Sequence, residues 1–111
     1  MEKRSKVLSA LGIAAKAGKI ESGEFQTEGA IKKGRAYAAL IAEDASEGTR
    51  DKFRSMCAYY EVPYFYYGTR ETIGGCIGKD FRAVLAVTDE KLAELIRREI
   101  KTEVAKTDES T

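Results

Sequence analysis

Two rhythms of apolar residues run along this chain, one of helical period and one of short unbroken runs. Val7, Leu8, Leu11 and Ala15 recur at helical spacing and predict an amphipathic helix from about Lys3 to Ala17, stopping at Gly18. Ile20 to Ser22 read as a short extended run that leads through Gly23 into a helix beginning near Glu24 and closing at Gly34. Ala38 to Ala42 form a compact apolar run, the pattern of a strand buried on both faces. Phe53, Met56, Cys57 and Tyr60 mark one face of a helix from about Gly48 to Glu61, with Ser46 placed to cap it. Pro63 opens an aromatic strand, Tyr64 to Tyr67, ended by Gly68. Thr69 can cap a short helix through Ile77, although Gly74 and Gly75 weaken its interior. A loop, residues 78–82, precedes the strand Ala83 to Val87. Thr88 and Asp89 cap a last helix with a stripe of Leu92, Leu95, Ile96 and Ile100.

Helices and strands thus alternate with short connections. That order predicts an α/β fold, a three-layer α/β/α sandwich around a four-stranded mixed sheet. Residues 1–101 read as a single domain, and residues 102–111 as a polar, frayed tail. With 111 residues, 43% of them hydrophobic, the chain can build one core without staples or metals.

Charge changes the picture only in its distribution. The formal net charge is +1, too small to drive nonspecific nucleic-acid binding through a global field. Residues 1–40 carry eight Lys/Arg against four Asp/Glu, and residues 41–111 eleven against fourteen. An anionic partner is therefore expected at the first third of the chain and the loops folded against it. Cys57 and Cys76 are far apart and outside metal-ligand spacing, and Cys57 falls on a helical apolar stripe as a reduced core residue. Histidine is absent, which removes the commonest general base and metal ligand. The N-terminal run is interrupted by Ser9, Gly12 and Lys16, so it reads as a folded helix rather than a secretory signal. No apolar stretch reaches membrane-spanning length, and a cytoplasmic location is expected.

Candidate chemistry is sparse. Glu43 and Asp44 end a buried strand, where α/β proteins place functional side chains. No phosphate loop, nucleophile–base pair or second acidic cluster completes a catalytic set. The plainer reading is that they satisfy backbone donors. The GGCIG run at residues 74–78 contains the GxxG of a nucleic-acid clamp, but its surrounding strand order does not suit that fold. The aromatics Tyr64 to Tyr67 read as packing. Phe81 stands apart in a loop between cations, where it either contacts a splayed base or folds inward as a lid on the core.

Taken in order, SGEFQTEGAIKKG, LIAEDAS, VPYFYYG and RETIGGCIGKDFRAVLAV resemble the kink-turn-binding ribosomal protein family that groups L7Ae with L30e and S12e. The similarity runs from about Lys6 to Leu95 and is greatest to the bacterial stand-alone branch. It implies the same sandwich and a non-catalytic RNA-binding role, without cofactor, metal or catalytic residues. In that family the second helix start reads guanine edges of sheared G·A pairs, while a loop before the last strand covers an extruded nucleotide. Carried over, the RNA-binding set is Gly23, Glu24, Phe25, Gln26, Thr27 and Lys33, with Arg70 and the loop residues Lys79, Phe81, Arg82 and Ala83. Two departures stand out: Phe25 replaces the family's asparagine and Gly29 its lysine, removing a base hydrogen bond and a charge-assisted contact. The expected partner is a structured RNA, a kink-turn in ribosomal or regulatory RNA, bound by a monomer with no membrane involved. The alternative is a protein–protein adaptor on the same scaffold with RNA binding weakened or lost.

Overall fold

The computed structural model of the protein describes residues 5–109, with side chains as far as Val104. The elements are α1 (Lys6–Lys16), β1 (Ile20–Ser22), α2 (Glu24–Lys32), β2 (Ala38–Ile41), α3 (Glu47–Tyr60), β3 (Tyr64–Tyr66), α4 (Arg70–Cys76), β4 (Val84–Val87) and α5 (Glu90–Glu109). Side-chain caps set the starts of α3, α4 and α5. Ser46 Oγ accepts the Thr49 N–H, and Asp89 Oδ2 accepts the Leu92 N–H. Thr69 and Thr72 form a reciprocal capping box at α4.

The sheet order is β1-β4-β2-β3. β4 runs antiparallel to both β1 and β2, whereas β2 and β3 are parallel, so the sheet is mixed. All four residues of β2 and of β4 are buried, as strands covered on both faces must be. The covering layers are α2 with α3, and α1 with α4 and α5. Leu11, Ile31, Leu40, Ile41, Phe53, Ile73, Leu85 and Ile96 are the largest apolar side chains fully enclosed.

Tyr60 sits on the helical stripe but is 40% exposed, because α3 ends there and Glu61 turns the chain through a left-handed conformation. Phe65 is only half-buried, as befits an edge strand. The last helix runs past Lys101 to Glu109. Beyond Ile100 it is tied to the rest of the fold through Glu103. Glu103 accepts hydrogen bonds from Tyr67 Oη at 2.6 Å and Ser5 Oγ at 2.7 Å, and Ser5 Oγ also caps α1 through the Leu8 N–H. The parts of the terminal expectations that fall on residues 1–4 and 110–111 lie outside the described residues.

Candidate nucleic-acid interface

The start of α2 is set by β1. Gly23 extends the β1–β4 ladder by one bond, donating its N–H to the Val84 carbonyl at 3.0 Å. It then takes φ +91°, a conformation that L side chains rarely adopt, and its carbonyl accepts the Thr27 N–H at 2.9 Å. Because Gly23 has no side chain to offer, α2 has no side-chain cap. The N–H groups of Glu24, Phe25 and Gln26 are left with the unpaired character of a first helical turn and its partial positive charge.

The first turn divides its side chains sharply. Thr27 is fully buried and its hydroxyl donates to the Glu21 carbonyl at 3.2 Å, tying α2 back to β1. Of the residues carried over as RNA contacts, it is the one enclosed beneath the helix start, where it fixes α2 to β1. Glu24 accepts a hydrogen bond from Thr49 Oγ1 at 3.0 Å and lies 4.0 Å from Lys52 Nζ, so it links α2 to α3. Phe25 and Gln26 face solvent.

The loop of residues 78–82 is brought to this helix start by contacts that involve α4. Lys79 N–H donates to the Gly74 carbonyl at 2.8 Å, and Arg82 N–H donates to the Arg70 carbonyl at 3.0 Å. Gly74 is buried directly beneath the loop, which accounts for a glycine within a short helix. Arg82 then pins the loop to the end of β1. Its Nε donates to Ser22 Oγ at 3.1 Å and its Nη1 to the Phe81 carbonyl at 2.9 Å. A Cβ on Gly23 would lie 4.0 Å from that Nε, so the helix start and the loop are in contact. Phe81 is 65% exposed, which removes the reading of an inward-folded lid. Ala83 is half-buried and its carbonyl accepts the Ala42 N–H at 2.8 Å, so it belongs to the strand junction rather than to the outer surface.

Arg70 flanks the same end of the sheet. Asp44 Oδ1 accepts its backbone N–H at 2.8 Å, and Asp44 Oδ2 lies 3.5 Å from its Nε. The Asp44 carboxylate thus satisfies a backbone donor at the start of α4 rather than at the helix that follows its own strand. Lys33 is not brought to the cluster: it caps the far end of α2, about 10 Å along the axis from Gln26. Ser22 was not singled out in the sequence, and nothing local marks a serine whose partner lies 60 positions away. Among the described residues no group of three His, Cys, Asp or Glu side chains is placed to hold a metal ion. Among the described residues no helix is long and apolar enough to cross a membrane.

The sheet order, the two helical layers and the uncapped second helix facing a loop before the last strand define a class of small α/β/α proteins. The chain belongs to the ribosomal protein L7Ae/L30e/S12e/Gadd45 family, whose model matches residues 5–97. It is 43% identical over 83 residues to the RNA-binding protein YlxQ of Bacillus subtilis (strain 168), covering 75% of this chain and 83% of that one. The Enterococcus faecium YlxQ, also an RNA-binding protein, is 36% identical over 91 residues, covering 82% and 87%. A solved structure of a Bacillus halodurans protein of unknown function superposes with a TM-score of 0.85 at 32% identity, covering 88% of this chain and 99% of that one. The Giardia lamblia 15.5kD RNA binding protein shares the fold, with a TM-score of 0.72 at 18% identity over 89% and 85% of the two chains.

Proposed function

We propose that this protein is a non-catalytic RNA-binding protein that acts as a monomer in the cytoplasm on a kink-turn or similarly bent RNA. The observation that carries this reading is the junction of Gly23 and Arg82. It places an uncapped helix start beside a loop bearing Lys79 and Phe81. Uncapped N–H groups suit base acceptors or phosphates, an exposed amide side chain at Gln26 offers both donor and acceptor, and Arg82 lies beside Gly23. A continuous A-form duplex hides its base edges in a deep, narrow major groove, whereas a kinked one presents widened base edges together with an unstacked nucleotide. The names of the YlxQ relatives support RNA as the partner.

The test is titration of the protein against a kink-turn RNA and a control with its G·A pairs replaced by Watson–Crick pairs. Preference for the kinked RNA is the expected result. Equal affinity for the two would leave only nonspecific binding, and no binding to either would favour the adaptor role.

A further inference from the structure

Phe25 is 85% exposed, more than any other large hydrophobic residue among those described. Its position explains nothing about folding. The residues that α2 buries are Thr27, Ala30 and Ile31, on the other side of the helix, and the helix start is held by Gly23 and Thr27. A phenyl ring left in water forgoes the stabilisation that burial would give. An isolated case is ordinary on a protein surface. Here, however, a second exposed ring, Phe81, lies on the loop that meets the helix start at the Gly23–Arg82 junction. At that junction lies the Arg82 guanidinium, beside Gly23 and held by Ser22 and by the Phe81 carbonyl.

The ligand chemistry that uses all of these parts is an unstacked nucleobase attached to a phosphate backbone. An unpaired base offers a π-face for a ring to stack on and acceptor edges to the free N–H groups, and its phosphate is drawn to the guanidinium. Two exposed rings on two separate elements, the α2 start and the loop before β4, offer two such stacking places. A base inside a continuous helix already has both faces covered by its neighbours. We infer that Phe25 forms a nucleobase-stacking subsite of its own, which takes an unpaired nucleotide distinct from the one held at Phe81. The inference rests on the proposed RNA-binding function and specifies what the RNA must display: two unpaired nucleotides at the bend, one for each ring.

The experiment places 2-aminopurine at each unpaired position of a kink-turn RNA in turn and follows fluorescence and affinity on adding protein. Phe25→Ala is expected to abolish the fluorescence change at one position, and Phe81→Ala at another. Phe25→Ala should weaken binding roughly 5- to 150-fold, the range for one lost base stack. Phe25→Tyr should retain both signal and affinity, and Phe25→Leu should behave like Ala. Thermal unfolding of all these variants should match wild type, because the ring supports no packing. Wild-type affinity in Phe25→Ala or Phe25→Leu would overturn the subsite while leaving RNA binding intact. Both rings reporting on the same nucleotide would overturn it as well. Failure of the wild-type protein to bind any kinked RNA would overturn the proposed function, and the subsite with it.

Discussion

A Cβ added to Gly74 would fall 1.4 Å from the Asp80 carbonyl oxygen and 2.6 Å from its carbonyl carbon. Those are backbone atoms of the loop that carries Phe81, so no side-chain rotation relieves the clash. Gly74→Ala should therefore push the loop off α4, costing about 1–3 kcal/mol or more of stability as an overpacked site. RNA affinity should fall with it, although Gly74 touches no ligand. Gly75→Ala is the control: nothing lies within 4 Å of its Cβ position, and a glycine removed from a helix interior gains up to about 1 kcal/mol. Chemical denaturation of the two variants should show shifts of opposite sign.

If the protein reads a kink-turn as proposed, Gln26 and Phe81 should play separable parts in recognition. Gln26→Ala should cost roughly 1–3 kcal/mol and relax the preference for G·A pairs. Phe81→Ala should cost a similar amount, about 1–3 kcal/mol, without altering that preference. Titrations of both variants against the kink-turn and its paired control separate the two roles. A variant pair with identical losses on both RNAs would count against the division.

Lys79 lies in the loop, and Lys33 stands a helix length from it. Among the described residues neither has a carboxylate within salt-bridge distance. If both meet phosphates, each alanine variant should lower the log–log salt slope by about 0.7–0.9. Arg82→Ala should act differently, because its Nε and Nη1 already hold Ser22 and Phe81. It should loosen the loop and reduce stability as well as affinity. An Arg82→Ala variant that loses salt slope alone would make this residue a plain phosphate ligand.

High pH should weaken the fold through two groups. Burial pushes the Cys57 thiol up to about 11. Tyr67 is pushed up to about 12 by burial and then by its hydrogen bond to the Glu103 carboxylate. In each case the unfolded chain loses its proton first, so stability is full below pH 9 and falls as pH rises through the folded values. Denaturation series between pH 8 and pH 11 on wild type and Tyr67→Phe should show the variant losing less stability above pH 10 than wild type. In the native protein Cys57 should resist thiol reagents near neutral pH, where it is both enclosed and protonated.

The strands were legible because their chemistry is local. Ala38–Ile41 and Val84–Val87 are unbroken apolar runs, and such runs become strands only when both faces are covered. Leu85→Ala, in the middle of that core, should cost about 2–5 kcal/mol by urea denaturation. The caps Ser46, Thr69 and Asp89 were equally legible, since a cap and its partner lie three residues apart. Half of the site was not. Thr27 looks like a polar residue in an exposed first turn, yet its hydroxyl reaches inward to Glu21, and only the angle between β1 and α2 decides that. Gly74 reads as a weak helix position until the loop that crosses it is in place.

The meeting of Ser5, Tyr67 and Glu103 has a consequence in time. Ser5 and Glu103 stand 98 positions apart, and Tyr67 is 62 from one and 36 from the other. The entropy of closing such spans must be met before the hydroxyls and the carboxylate give anything back. The knot also needs α1 and α5 already packed together, which predicts that it is tied late. Contacts made after the rate-limiting barrier do not hasten folding; they hold back the reverse step. Tyr67→Phe should accordingly leave the refolding rate unchanged and raise the unfolding rate, which makes this tyrosine a governor of how long the folded chain persists rather than of how quickly it forms.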